Sequence, residues 1–280
     1  MKIGFALRAT VFGPGLIHRL APVLDRSDID SVWFPSVGRA FDSLDMCGIV
    51  LGRTERLRVG SGVIRSVDHE AGQLLPRAHT LSEGSAGRFM LGIGTGPGTG
   101  ARAVQGLVDL TAKVRADYRG RHVPPILFAA LRRGMLLVAH RQADGAILNF
   151  CPPSFVKAIA PKDLREGFTL GCYVKLFFAE RDTVAKKMLV DEIKMYDRIP
   201  QYHAMFGEVG VSTVIDKLGP KSPIPEQLSE ISLTNPTDEE VVLMLQRFER
   251  AGANLPIVYP YVSGGEGYKT SVVERLSRLA

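Results

Sequence analysis

Five glycines at alternate positions, Gly92, Gly94, Gly96, Gly98 and Gly100, follow the short apolar run Phe89 to Ile93. A run of that length suits a fully buried strand. Behind the glycines, Val104, Leu107, Val108, Thr111, Val114 and Tyr118 repeat at the spacing of one helix face. Strand, glycine loop and helix is a geometry in which uncovered backbone N–H groups can face an anion, and it equally makes a tight structural turn. Two common phosphate motifs are excluded. No three of these glycines fit the G-x-G-x-x-G dinucleotide spacing, and no Gly-Lys-Ser/Thr follows as in a P-loop. The chain must therefore accommodate at least one strand–loop–helix unit with its own loop chemistry.

The rest of the sequence repeats that unit. Lys2 to Leu7, Ser31 to Phe34, Leu57 to Ile64, Phe89 to Ile93, Pro125 to Ala130, Ala146 to Phe150, Thr169 to Phe178 and Ile257 to Tyr259 read as eight strands. Helical patterns separate them: one opened by Pro14, one capped by Asp42, one carrying Ala71, Leu74, Leu75, Ala78 and Leu81 on one face, and one closing the chain from Glu266 to Leu279. Most of the strands are short apolar runs without polar alternation, as strands buried on both faces should be. Eight such units in 280 residues predict an α/β protein of the (β/α)₈ TIM-barrel class. A doubly wound sheet would show fewer strands. Residues 179–252 are polar and helical and are expected as a helical insertion before the last strand, within a single domain spanning 1–280. In a barrel the site lies where strands end, so the informative loops follow Leu7, Phe34, Ile64, Ile93, Ala130, Phe150, Phe178 and Tyr259.

Composition narrows the partners. With 45% hydrophobic and 23% charged residues the chain is an ordinary globular one. Cys47, Cys151 and Cys172 form no C-x-x-C pair, so neither a disulfide framework nor a cysteine metal site is expected, and the six histidines share no ligand spacing. The opening MKIGFALRATVFG reads as a first strand and not as a signal peptide, and no apolar run approaches a membrane span. A cytoplasmic protein without membrane contact is expected. The net charge is +6, but the basic residues are dispersed, the longest clusters being pairs such as Arg132–Arg133. That dispersal argues against nucleic acid and for an anionic small molecule.

The ordered segments SVWF, LRVGSGV, LSEGSAGRFMLGIGTG, VPPILFAA and ADGAILNF resemble the bacterial luciferase-like superfamily. Within it the chain looks most like the branch that uses the deazaflavin coenzyme F-420, including methylenetetrahydromethanopterin reductases. The aromatic strand Thr169–Phe178, the Tyr196–Tyr202 region and the PTDEEV segment belong to the same likeness. The resemblance implies an oxidoreductase that moves a hydride between coenzyme F-420 and a small organic substrate. Two alternatives are a flavin mononucleotide (FMN) monooxygenase and a flavin- or deazaflavin-binding protein without turnover. It also implies a homodimer and a bulge at Gly62, Val63 and Ile64, with a cis peptide between Gly62 and Val63, which would back the coenzyme ring. Gly94, Thr95 and Gly96 match a loop along the coenzyme. Ala129, Ala130 and Asn149 match positions beside its side chain and phosphate, and Arg132, at the next helix start, is expected near its acidic tail.

Departures from the family pattern are equally specific. Many relatives carry an acid and a histidine after the second-strand tryptophan, where this chain has Trp33-Phe34-Pro35-Ser36-Val37. Relatives also have an acid or amide near the first strand end, replaced here by Ala6-Leu7-Arg8, and an insertion before the fifth strand that is short here. Arg8, Ser36 and Arg65, at the ends of three neighbouring strands, are expected to line the substrate pocket. Ser36 has no neighbouring base in sequence and is not expected to act as nucleophile or base. The catalytic group is left unassigned. The remaining signals read as structure: Trp33 as core, His69 as a helix start, and Asp144 of ADG as a turn former.

Overall fold

The fold was obtained as a computed structural model, which describes residues 2–36, 40–68, 71–118, 120, 122–215, 217–219 and 223–279. His69, Val37 and Arg121 lie outside the described residues. Among the described residues ten strands build one parallel sheet: β1 (Gly4–Ala6), β2 (Ser31–Phe34), β3 (Arg58–Ser61), β4 (Ile64–Arg65), β5 (Phe89–Gly94), β6 (Ile126–Ala129), β7 (Gly145–Leu148), β8 (Thr169–Ala179), β9 (Ser232–Thr234) and β10 (Leu255–Ser263). Strand β10 pairs with both β1 and β8, which closes the sheet into a barrel of eight strand positions. The long β8 shares one edge with β10 along Gly171 to Ala179. Its other edge takes β7 at Gly145–Leu148 and, higher up, β9 at Ser232–Thr234.

The helices are α1 (Ala9–Asp25), α2 (Ser43–Leu51), α3 (Ala71–Gly84), α4 (Gly100–Asp117), α5 (Arg133–Gln142), α6 (Pro153–Ile159), α7 (Asp182–Asp197), α8 (Pro200–Glu208), α9 (Ser212–Ile215), α10 (Glu226–Ser229), α11 (Asp238–Arg250) and α12 (Glu266–Ser277). Local chemistry sets their ends. Asp42 accepts from the backbone N–H of Leu44, and Arg77 of α3 grips Asp42 and Asp45. Thr237 and Glu240 form a reciprocal capping box that starts α11. Gly13, at φ +68, separates the first turn of α1 from the helix that Pro14 opens. The buried residues from both faces of the sheet form one contiguous core.

The structure departs from the sequence reading at three places. The strand expected over Leu57–Ile64 is broken at Gly62–Val63 into β3 and β4. Residues 179–252 contain the strand β9 as well as helices, because the upper edge of β8 is otherwise unpaired. The last strand, expected over Ile257–Tyr259, runs from Leu255 to Ser263, nine residues in register with β8. Gly60 has a packing reason: a Cβ there would lie 2.5 Å from a ring carbon of Trp33, whose indole is buried and donates to Ser31 Oγ. Cys47, Cys151 and Cys172 are buried and unbonded to one another. No helix among the described residues is long and apolar enough to cross a membrane.

Candidate active site

At the C-terminal end of the barrel, β3, β4, β5 and β6 converge on a patch of small residues. The Gly62–Val63 peptide is cis. Gly62 donates from its N–H to Phe34 O at 2.9 Å, and its carbonyl accepts from Tyr173 Oη, which crosses the barrel from β8, at 2.7 Å. A Cβ on Gly94 would lie 2.9 Å from Ala129 Cβ and 3.0 Å from Val63 Cγ2, so bulge, glycine strand and β6 meet there. Gly96, at φ +64, sits against Arg65: a Cβ would lie 3.2 Å from Arg65 Cβ and 2.9 Å from Val67 Cγ2. Thr95 and Val67 enter a cleft of about 390 Å³ completed by Ser66, Ala103, Asp109 and Lys113.

Helix α8 lies against the neighbouring strand ends. Asn149, just after β7, donates from Nδ2 to Tyr202 Oη at 2.7 Å, while its Oδ1 is buried without a partner. Gln201 donates to Gly98 O at 3.4 Å in the glycine loop. Arg132, preceding α5, pairs with Glu208 at 2.7 Å, with both side chains substantially exposed. The structure therefore brings Gly62, Val63, Gly94 and Ala129 into one patch, sets Arg65 and Gly96 beside each other, and ties Asn149 and Arg132 to α8. Ile64 and Ala130 are buried in the wall; Ile64 pairs with Ile93, and the Ala130 N–H bonds Ile147 O. Ser36 shares a 2.8 Å hydrogen bond with Ser43, at the start of α2.

Inside the mouth stands a charged group that sequence reasoning missed. Lys175 of β8 has no exposed side-chain surface. Its Nζ donates to Tyr261 Oη at 2.9 Å and lies 3.5 Å from Glu192 Oε1. The Nζ also stands 3.6 Å from the centre of the Phe150 ring and 4.4 Å from that of Tyr196, with Tyr259 and Tyr261 a little farther away. Such a ring box stabilises an ammonium by its quadrupoles. Glu192, on α7, receives three donors: Lys175, Tyr261 Oη at 2.6 Å, and Arg8 Nη1 at 3.2 Å to each carboxylate oxygen. Arg8 itself lies over the Tyr261 ring. The signal was present in the sequence, since Lys175 is the single charged residue in the apolar strand TLGCYVKLFFA. Its partner on α7 could not be read off, because nothing in sequence links positions 8, 175, 192 and 261.

Burial pulls the Lys175 ammonium down from 10.5 to about 7, with Glu192 opposing the fall and Arg8 adding to it. Burial pushes the Glu192 carboxyl up, but Lys175, Arg8 and the Tyr261 hydrogen bond outweigh it and hold the group below the usual carboxylate range. A lysine with a depressed folded-state pKa binds fewer protons folded than unfolded between about 7 and 10.5, so stability rises with pH in that window. The buried cysteines and tyrosines have pKa values raised by burial and oppose the trend, the cysteines from about pH 8 and the tyrosines near pH 10, because the unfolded chain loses those protons first. Melting temperature is therefore expected to climb from pH 7 to about 8 and then to level off and fall, and Lys175→Met should flatten that climb. An unchanged slope in the variant would show that Lys175 does not titrate there.

No group of three or more His, Cys, Asp or Glu side chains among the described residues is placed to hold a metal ion. A comparison with curated proteins found no match. Residues 2–115, from β1 to the last turn of α4, match the family model of luciferase-like monooxygenases. The whole chain shares its fold with several solved structures. The coenzyme F-420-dependent tetrahydromethanopterin reductase of Methanopyrus kandleri is 14% identical with a TM-score of 0.73, the match covering 100% of this chain and 98% of that one. A coenzyme F-420-dependent secondary alcohol dehydrogenase, solved with an F-420–acetone adduct, is 13% identical with a TM-score of 0.76, over 99% and 98% of the two chains. The oxygenating constituent of 3,6-diketocamphane monooxygenase from Pseudomonas putida, solved with FMN, is 12% identical with a TM-score of 0.66, over 99% and 97%.

Proposed function

We propose that the protein is an oxidoreductase that transfers a hydride between coenzyme F-420 and a small organic substrate, within one luciferase-like barrel domain. The observation that carries this reading is the small-residue patch of Gly62, Val63, Gly94 and Ala129 at the C-terminal end of the barrel. It offers a flat ring a close approach to backbone on one side, and the fold neighbours include two proteins described by their use of F-420. The residues present fit a deazaflavin: Gly94 stays bare backbone because a Cβ there would collide with Ala129 and Val63, and the orphaned Oδ1 of Asn149 leaves an acceptor for a ligand donor. When bound, the coenzyme would accept or give the hydride. The chain's own residues do the rest. Gly62 and Val63 would back the ring, Gly94 to Gly96 would lie along it, Ala129 would leave room beside it, and Arg8, Ser36 and Arg65 would stand toward the substrate.

The pairing of Arg132 with Glu208 favours a second reading, an FMN monooxygenase, because it occupies the cation expected to meet an acidic tail. The two are separated by anaerobic titration of the purified protein with F-420 and with FMN, read as difference spectra. F-420 is expected to bind and to be reduced or oxidised on addition of a cognate substrate; failure of both coenzymes to bind removes the reading. The tail contact has its own test. Arg132→Ala should weaken F-420 binding about 2- to 5-fold at low salt, as an exposed contact worth ~0.5–1 kcal/mol does, with the effect fading at high salt. Glu208→Gln should strengthen it by freeing Arg132 and removing a negative charge. Unchanged affinity in both variants would place the tail elsewhere.

A further inference from the structure

We propose that Arg8 is the anion receptor of the substrate pocket and that the substrate carries a carboxylate; this rests on the oxidoreductase reading above and deepens it. The first observation is an unpartnered donor. Both bonds from Arg8 to Glu192 leave from Nη1, whereas Nε is buried and has no hydrogen-bond partner. Buried N–H groups without partners are rare. The Nε–H lies on the guanidinium edge that Nη1 does not use. That edge presents two parallel N–H donors, the geometry that matches both oxygens of one carboxylate.

The second observation is charge. Arg8 and Lys175 share one carboxylate, Glu192. The other titratable groups facing them, Tyr196, Tyr259 and Tyr261, have pKa values raised by burial and are neutral. The enclosed set thus holds one positive charge more than its carboxylate balances. A monoanion completes it, whereas a dianion overshoots. Lys175 can also relieve the surplus by releasing its proton, so an arriving anion should draw that proton back.

The third observation is position. Arg8 follows β1 at the end of the barrel where the strand-end loops gather, and 14% of its side-chain surface is exposed. Glu192 is held by three donors and cannot swing away, so the unused edge of Arg8 is fixed in direction. An ion pair whose sole purpose was to fasten α7 to the barrel would need one cation, not two, and would not leave a buried N–H unmet.

The test is isothermal titration of acetate, benzoate, their amides and inorganic phosphate into the full chain at pH 8, without coenzyme, in two buffers of different ionisation enthalpy. At least one acid should bind tenfold or more tightly than its amide, with a buffer-dependent heat that reports proton uptake. Arg8→Met should erase the difference between acid and amide. Arg8→Lys should restore only part of it, because an ammonium cannot present two parallel donors. Acids binding no better than amides, a preference surviving in Arg8→Met, or phosphate displacing benzoate at equal concentration would overturn the proposal. Should Arg8→Met fail to fold, the Nε resonance of Arg8 in the wild type gives the answer: it should shift on addition of the acid and not of the amide, and no shift refutes the site. Coenzyme titration distinguishes this failure from that of the oxidoreductase reading. Acid binding with neither coenzyme bound removes the redox assignment and keeps the carboxylate site; coenzyme binding without acid binding does the reverse.

Discussion

Glu192→Ala is expected to cost about 3–5 kcal/mol of stability, the usual loss when one partner of a buried ion cluster is removed. The carboxylate is the counter-ion of two cations, and the phenol of Tyr261 donates to it as well. Without it, Arg8 keeps its charge in a buried site and Tyr261 loses its acceptor. Lys175 escapes by giving up its proton, so the loss should be larger at pH 6 than at pH 9. Adding Lys175→Met to Glu192→Ala should return part of the stability, a coupling that a double-mutant cycle measures. Denaturant unfolding of the four proteins at both pH values decides the matter. Simple additivity, or a loss equal at the two pH values, would mean that the three charges do not act as one group.

Gly92→Ala should be nearly as damaging, at about 3 kcal/mol or more, because the overpacking falls on backbone that cannot rotate aside. A Cβ at this position would stand 2.0 Å from Ser61 O. Ser61 also clasps Gly92 from the side chain, its Oγ donating to Gly92 O and accepting from Gly92 N, both at 3.0 Å. The methyl must therefore push β3 away from β5 and disturb the bulge at Gly62 that Tyr173 holds. A melting temperature lower by roughly 6–12 °C is expected for a chain of this size. Gly106, in the middle of α4 with nothing within 4 Å of its would-be Cβ, is the control, and Gly106→Ala should gain about 0.5–1 kcal/mol. Equal effects at the two glycines would disprove the steric account.

Much of this was legible in the sequence because period and punctuation carry it. SVWF and FMLGIG are apolar runs with no alternation, and both are strands of a parallel barrel buried on both sides. The break at Gly62 was announced by a glycine pair inside a strand. The short β9 was not legible, since Ser232–Thr234 gains its order from the free edge of β8 and not from its own three residues. The charged cluster divides the same way. Lys175 is a lone cation in an apolar strand, a signal the sequence reading passed over, and the reason it can be there, Glu192 arriving from α7, depends on a helix packing angle that no local pattern encodes. Arg132 shows the limit in the other direction, for its position before α5 was readable and its partner Glu208 was not.

Helix α8 bonds the loop after β5 through Gln201, the residue after β7 through Tyr202, and the residue before α5 through Glu208. The ends of three consecutive strands, β5, β6 and β7, are thus fastened to one nine-residue helix. Local opening in this part of the barrel should then be collective: amide protons of α8 and of the loops it touches should exchange with solvent as a single cooperative unit, at a lower free energy than the strands beneath. Cutting one tether, as Tyr202→Phe does, should speed exchange at the other two contacts and leave the β8–β10 ladder unchanged.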